Sequence, residues 1–505
     1  MTSAAEEPTA SGSTTAVDSL TRRLARWTAG LRLDDVPERV IPVAVSQVIS
    51  HLATVRASVA HPMGRRLLTA FGQPDPADPA RTAHLLAALS SCLYLEDTMY
   101  AGHVAHAGVG VPVAHQERQR LDGRGLLAAV IAANESAARV TAAATLGPFR
   151  GQQASHTHLV AAVAARLHGA GADHDALLNA WGLALAAPPL WLRPSFLGSD
   201  AKVLSAAVPV RIAMDACDAA AAGLTGRDDL LEHPDGVLAK FAHAPVPEAV
   251  VAGLGERWHT ETLSFKLFPG AVHLDALVEC AAELHRRLRP RGADDVEAVE
   301  MHVPRMTMVM SRHAGRYTRG PDSPLVAVNM WAGYNVATAL LTGGLGVADL
   351  AEPLVRDPDR WALAGKLTMI PDETLSQEGI AGTAPVGEAL RQAGPRALDW
   401  RTELPGKPLE QLLEELGPPS PTFEHATKKL GCRMVVRMAD GRRDSYAMDA
   451  GTGSVGSPSW SAHPELVRDK LLATGADKET ARTLARLPEL SVDELSRVLR
   501  QVLTW

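Results

Sequence analysis

The chain has few cysteines and few aromatic residues, and the small number of cysteines narrows the classes of protein to which it can belong. Its 505 residues include four cysteines, and aromatic residues make up 4%. Cys92, Cys217, Cys280 and Cys432 are far apart and form no CxxC pair, so we expect neither a disulfide framework nor a cysteine zinc site. Reduced thiols and a cytoplasmic location are expected.

An excess of positive charge is also missing. The 50 Lys and Arg residues are outnumbered by 57 Asp and Glu, giving a net charge of -7, whereas a nucleic-acid scaffold normally shows a basic stripe. Residues 1–18 lack the basic start and apolar centre of a signal peptide, and we expect a disordered tail there. No uninterrupted apolar run approaches the length of a membrane span, so we expect no membrane contact.

Several well-known catalytic motifs are absent from the sequence. There is no Walker motif, no HExxH and no GxSxG elbow. The string GTGSVG at Gly451–Gly456 fits the GxGxxG pattern, but SPSW follows it, which places a proline where a phosphate-binding helix should begin. We interpret this string as a glycine-rich turn, and we expect no cofactor.

Apolar residues with helical spacing fill the first half of the chain. Asp78-Pro79 is typical of a helix start and predicts a helix to about Thr98. The segments GRGLLAAVIAANESAARV and HDALLNAWGLALA predict two more helices, the second capped by Asp173. Such helices bury their apolar faces against one another, so residues 19–262 are predicted to form a large all-helical domain.

Strand-like alternation appears further along the chain. VEAVEMHVPRMTMVM and CRMVVRMADGRRDSYAMDA alternate apolar and polar residues, and Asp440-Gly441 predicts a hairpin turn. We therefore predict a smaller α+β domain over 263–458, with a surface insertion at about 383–421. Residues 459–505 are predicted to be helices that pack on the large domain. The predicted fold is mainly α with a smaller α+β domain.

Histidines near an acidic pair are the clearest chemical signal. His103 and His106 follow Glu96-Asp97, and a metal site built from His103xxHis106 and a carboxylate is conceivable. Two-histidine metal motifs on helices usually have i,i+4 spacing, however, so acid–base or anion-binding roles are favoured and no metal is expected. Lys202 stands alone in the largely apolar stretch SFLGSDAKVLSAAVPV, where it is either a solvated residue or a pocketed cation.

LARWTAGLRLDDVPERVI, LYLEDT and GRGLLAAVIAANESAARV, in this order, resemble successive segments of the MmgE/PrpD family, which includes 2-methylcitrate dehydratase and cis-aconitate decarboxylase. LARWTAGLRLDDVPERVI is similar to the family's opening helix, LYLEDT to its HALDFDDT stretch, and GRGLLAAVIAANESAARV to its GRDLLAAVVAGYEVAARL segment. HLVAAVAARLHGAG, KVLSAAVPVRIA with GLTG, FKLFPGAVHLDA, GYNVATALL and ADGRR follow in the family's order. The resemblance implies a helical domain, an α+β lid domain, a homodimer and a cofactor-free active site between the domains.

The resemblance also implies site residues. The positions implied as catalytic are Lys202 of the TKxLH motif, the lid histidine His273, Tyr334 of the LPY motif, Asp97 and Thr98 of DFDDT, and His103. Three positions depart from the family pattern: Tyr94 replaces the first aspartate of DFDDT, Arg150 the histidine of GFHP, and Ser205 the histidine of TKxLH. We predict substrate contacts from those three and from Lys266, His106 and His158.

The implied activity is a cofactor-independent lyase or isomerase. A base would remove a proton beside a carboxylate or carbonyl of a small organic acid or keto acid, with loss of water or carbon dioxide. Replacing an aspartate by Tyr94 removes negative charge and adds an apolar ring, which fits a less charged or larger substrate. Two alternatives stay open: a biosynthetic enzyme that eliminates from or rearranges a larger intermediate, and a non-catalytic carboxylate-binding protein.

Overall fold

Helices form most of the chain up to residue 241. The structure, a computed structural model, describes residues 18–100, 102–148, 155–402 and 408–505. The helices of this part are α1 Leu20–Gly30, α2 Val40–Ala60, α3 Pro62–Phe71, α4 Pro79–Ser90, α5 Ala105–Gly108, α6 Gly110–Gln119, α7 Gly123–Ala144, α8 Ser155–Gly169, α9 His174–Ala184, α10 Arg193–Gly198, α11 Leu204–Ala221 and α12 Val237–Phe241. The predicted helical fold of the first half is confirmed.

Two of these helices are long and apolar enough to cross a membrane by length and composition alone, α2 and α7. Neither helix is an uninterrupted apolar run, because Gln47 and His51 interrupt α2 and Glu135 and Arg139 interrupt α7. The apolar windows of α2 and α7 are 83% and 100% buried inside the fold. Such burial is typical of core helices.

A four-stranded sheet distinguishes the second half. Its helices are α13 Asp275–Leu288, α14 Arg305–Gly315, α15 Leu325–Met330, α16 Ala332–Thr342, α17 Pro358–Ala364, α18 Glu373–Ala381, α19 Gly387–Ala393, α20 Leu409–Leu416, α21 His463–Ala473, α22 Lys478–Ala485 and α23 Val492–Val502. Its strands are β1 Val296–Val303, β2 Leu367–Pro371, β3 Cys432–Met438 and β4 Arg443–Met448. The strand order is β2-β1-β3-β4, with β1 parallel to β2 and antiparallel to β3. The α+β character of this part is confirmed.

Two predicted elements end earlier than the pattern indicated. The helix that begins at Pro79 stops at Ser90 rather than near Thr98, and Tyr94 beyond it has a φ of 53°, which a continuing helix cannot contain. The alternating stretch from Val296 is a strand only to Val303. Pro304 then begins a helix, because proline fixes φ and cannot donate to the strand ladder.

The described residues of the segment 383–421 are not confined to the surface, where the prediction placed them. It contains α19 and α20, and the apolar side chains of Leu390, Trp400 and Leu412 are buried in the same core cluster as the N-terminal helices. Helix α21 packs along α2. The larger core therefore takes residues from both ends of the chain, while the sheet packs with α13 and α16 around a second core.

Candidate functional site

A cavity of about 280 Å³ lies where the helical part, the sheet-containing part and the 383–430 segment meet. Four of the predicted site residues line it: Tyr94, Thr98, His103 and His273. Much of its remaining wall is apolar and comes from Phe196, Phe241, Met306, Met310, Met330 and Trp400. The lining also includes His156 and Lys428. The cavity is therefore a largely apolar chamber with a few polar groups.

The irregular chain after α4 brings the first of these residues to the cavity. Tyr94 is 4% exposed and its hydroxyl donates to the sulfur of Met330 at 3.2 Å. The left-handed backbone conformation of Tyr94 changes the direction of the chain. Glu96, Asp97 and Thr98 follow, and they are buried but not helical. The left-handed conformation is uncommon for a bulky residue and occurs often at functional sites.

Lys202 is buried behind this turn and does not line the cavity. Its Nζ donates to the carbonyl oxygen of Ser91 and lies 3.5 Å from the centroid of the Tyr94 ring. Burial lowers the pKa of Lys202 to about 8, against the opposing effect of Glu96. The interpretation of this residue as a pocketed cation fits its burial, and it contacts the cavity-lining residue Tyr94.

Glu96 forms a cluster with two of the predicted histidines. Its Oε1 lies 3.0 Å from His103 Nδ1 and 3.5 Å from His106 Nε2. Burial favours the neutral acid, but the Lys202 charge and the two imidazoles outweigh it and hold the pKa of Glu96 well below its usual range. Burial lowers the pKa of His103 to about 4. Glu96 is therefore an anion at neutral pH, and both histidines are neutral.

Asp97 belongs to a second buried network. Its Oδ1 accepts a hydrogen bond from Ser50 Oγ at 2.8 Å and lies 3.8 Å from Lys470 Nζ. Burial raises the pKa of Asp97 to about 6, against the opposing charge of Lys470. Lys266 donates through Nζ to the carbonyl oxygens of Tyr94 and Gly270. Asp97 and Lys266 thus hold the chain around the cavity without lining it.

Lys428 supplies a cation at the cavity wall. Its Nζ donates to Thr98 Oγ1 at 2.6 Å, and the residue is 5% exposed. Burial lowers the pKa of Lys428 to about 8, although the nearby Asp275 opposes this. Thr98 therefore presents its hydroxyl to an ammonium group that can also bind an acidic ligand.

His273 presents an unpaired ring nitrogen. Its Nε2 lies 3.2 Å from the carbonyl oxygen of Met330, and because a carbonyl only accepts, Nε2 carries the proton. Nδ1 then has a lone pair, and it has no hydrogen-bond partner among the described residues. Burial lowers the pKa of His273 to about 3, so the ring is a neutral proton acceptor at physiological pH.

Tyr334, Ser205 and His158 do not line the cavity. Tyr334 packs in a separate cluster with Val328 and Leu350, and its hydroxyl donates to the carbonyl oxygen of Asp349 at 2.5 Å. Ser205 and His158 are buried, the latter with its ring centroid 5.5 Å from that of His106. Arg150 lies outside the described residues.

Sequence reasoning missed Lys428 and the methionine wall. Lys428 follows an irregular stretch and precedes β3, where no motif or period marks it as buried. The alternation of apolar and polar residues predicts a strand at Met306 and Met310, although their four-residue spacing is that of one helix face. The sequence therefore contains a pattern that places the methionines on a helix, but no pattern that marks the lysine as buried.

Comparison with family models identifies the chain. The MmgE/PrpD N-terminal domain model matches residues 22–249, and the MmgE/PrpD C-terminal domain model matches residues 268–412. No individual curated protein gives a significant match. The two models together cover more than half of the sequence, so the chain belongs to the MmgE/PrpD family, whose members are dehydratases and decarboxylases of small organic acids.

Proposed function

We propose that the protein is a lyase or isomerase that removes a proton next to the carboxylate or carbonyl of an organic acid with a large apolar part. The observation that carries this proposal is the neutral His273, whose unpartnered Nδ1 belongs to a residue lining a largely apolar cavity. A neutral imidazole with a free lone pair can accept a proton directly, and an anionic substrate beside it would raise its pKa towards the range that a general base needs. Loss of water or carbon dioxide, or return of the proton elsewhere, would complete the reaction.

Lys428 is the cation that supports substrate binding in this proposal. It lines the cavity as a buried ammonium and keeps donor capacity beyond its bond to Thr98. A carboxylate next to it would be bound, and the negative charge that develops on proton removal would be stabilised in the same place. Lys202, which contacts Tyr94 rather than the cavity, acts in this scheme by fixing the Tyr94 ring.

The apolar wall favours a less charged substrate over a small tricarboxylate. Phe196 and Met310 offer contact area but no hydrogen bonds to charged oxygens, and the ring nitrogen of Trp400 already donates to the carbonyl oxygen of Gly147. Burying several carboxylates against such a surface would leave charges unpaired, which is costly. This supports a substrate that carries few charges and has an apolar part.

Deuterium exchange tests the proposal. Organic acids and keto acids with apolar parts of increasing size are incubated with the protein in deuterated water, and loss of the α-proton signal is followed by NMR. We expect exchange for the larger acids, loss of exchange by at least about 100-fold in His273→Gln, and retention in His115→Gln, which changes a buried histidine outside the cavity.

Three results would count against the proposal. Acids that bind but never exchange would favour a non-catalytic carboxylate-binding protein. Exchange that survives in His273→Gln would remove this residue as the base. A preference for tricarboxylates would overturn the apolar substrate class.

A further inference from the structure

Three potential metal ligands converge beside the cavity. Glu96, His103 and His106 each offer one ligand atom, and these atoms all lie within 4.8 Å of one another. Tetrahedral zinc with ligand bonds of about 2.0–2.2 Å separates neighbouring donor atoms by roughly 3.3–3.6 Å. The distances from Glu96 Oε1 to His103 Nδ1 and His106 Nε2, 3.0 and 3.5 Å, are close to that separation.

The two histidine nitrogens of the cluster are buried close to the carboxylate. His103 Nδ1 and His106 Nε2 make no hydrogen bond of full geometric quality with a described residue, although each lies near Glu96 Oε1 and helps to lower the pKa of Glu96. A hydrogen bond from an imidazole to a carboxylate is strongest when it is close to linear. A cation placed between the three residues would give both nitrogens a partner.

Ser90 orients His106 for this role. Ser90 Oγ lies 3.2 Å from the Ala87 carbonyl oxygen, to which it donates, and 2.8 Å from His106 Nδ1. With its one proton directed to the carbonyl, the hydroxyl accepts from Nδ1–H and leaves the lone pair on Nε2. Metal-bound histidines are usually held by such a bond from the other ring nitrogen.

We propose that Glu96, His103 and His106 bind a divalent first-row transition metal ion. Two imidazoles and one carboxylate suit Zn²⁺, Fe²⁺ or Co²⁺ better than Mg²⁺ or Ca²⁺, which prefer oxygen ligands. The i,i+3 spacing that disfavoured this site assumed a single helix. His103 instead precedes α5, which contains His106, and Glu96 comes from the turn after α4.

The position of the site gives the ion a direct relation to the cavity. His103 lines the cavity and its side chain is 22% exposed, whereas Glu96 and His106 are each 1% exposed. An open coordination position on the His103 side would therefore meet a ligand in the cavity. Lys202 adds a second positive charge nearby, so the site as a whole would favour an anionic ligand such as a carboxylate.

Metal binding is tested without any substrate, so its outcome does not depend on the proposed reaction. The chelator-treated full-length protein is titrated with Zn²⁺ by calorimetry, and with Co²⁺ by visible absorption, which reports coordination geometry. We expect one ion per chain and binding weaker by at least about 100-fold in Glu96→Gln, His103→Gln and His106→Gln. Mg²⁺ should not compete.

His115→Gln is the matched control for removing a buried histidine. His115 is 3% exposed on α6, where Nδ1 lies 3.1 Å from the Val111 carbonyl oxygen, and it is not part of the cluster. This variant should bind Zn²⁺ as the unchanged protein does. Stoichiometric binding that survives in His103→Gln and His106→Gln, or no binding by the unchanged protein, would overturn the proposal.

A measurement on the unchanged protein covers the case in which the variants do not fold. X-ray absorption at the zinc edge should show two imidazole ligands, oxygen donors and no sulfur. Sulfur ligation would place the ion at a cysteine and would contradict the proposed site.

Discussion

Lys202 Nζ lies over the ring of Tyr94, 3.5 Å from the ring centroid. Both side chains are buried. A cation above an aromatic ring face is stabilised electrostatically, more so when it is desolvated. The Tyr94 ring, together with the charge of Glu96, therefore helps to hold Lys202 as a buried ammonium.

The first prediction concerns this cation–π contact. Tyr94→Leu should lower the free energy of unfolding by about 2 kcal/mol or more, because the desolvated contact is lost. Tyr94→Phe keeps the ring face and loses only the hydroxyl bond to Met330 sulfur, so it should cost much less. Urea unfolding of both variants measures the difference, and equal losses would contradict the assigned contact.

The second prediction concerns the bond between Thr98 and Lys428. Thr98→Val should cost about 1.5–3 kcal/mol in the free energy of unfolding, because it removes an acceptor from a buried ammonium. Thr98→Ser keeps the hydroxyl and provides the control. A valine variant as stable as the serine variant would show that the 2.6 Å contact contributes nothing.

The third prediction is a loss of stability in acid. Burial lowers the pKa of His115 to about 4, of His273 to about 3 and of His463 to about 4, while an unfolded histidine titrates near about 6.5. Above that pH the rings are neutral in both states and their contribution is complete. Below it the unfolded chain takes up protons that the folded chain refuses, so stability falls by up to about 1.4 kcal/mol per pH unit for each histidine.

His115→Gln isolates one of these contributions. Urea unfolding from pH 7.5 to 4.5 should show a shallower loss in this variant than in the unchanged protein. Comparing the variant with the unchanged protein also cancels effects that both share and that oppose this loss of stability. One such effect is that of Asp275, whose pKa is raised by burial to about 6. Parallel pH curves for His115→Gln and the unchanged protein would contradict the prediction.

The fourth prediction concerns Glu135 on α7, which fixes the turn leading to the site. Its carboxylate accepts from the backbone N–H groups of His259 and Thr260, each at 2.9 Å. In Glu135→Gln an NH₂ group replaces one of the two accepting oxygens and faces a backbone N–H, so two donors meet. We therefore expect the free energy of unfolding to fall by about 2–3 kcal/mol. Glu117→Gln, at an exposed pair with Arg500, should cost less than about 1 kcal/mol. Urea unfolding compares the two, and equal effects would show that the buried acceptor is not needed.

Local patterns predicted much of the fold. Helix α7 and the hairpin at Asp440-Gly441 follow from periodicity and turn residues, which act over a few neighbouring residues. Periodicity gave a wrong prediction beyond Pro304. Apolar and polar residues continue to alternate there in the sequence, but the proline ends the strand. It also failed at 383–421, because a glycine- and proline-rich composition does not reveal which apolar residues meet the core.

The sequence alone determined the family, the helical and α+β parts, and the candidate set that contains Thr98, His103 and His273. The tertiary structure alone decided which of these meet in one cavity, that Lys202 faces Tyr94, and that Lys428 joins the wall. Periodicity and motif order are properties of neighbouring residues along the chain. Distances such as those within the Glu96 cluster depend on how separate segments pack, and no local pattern encodes them.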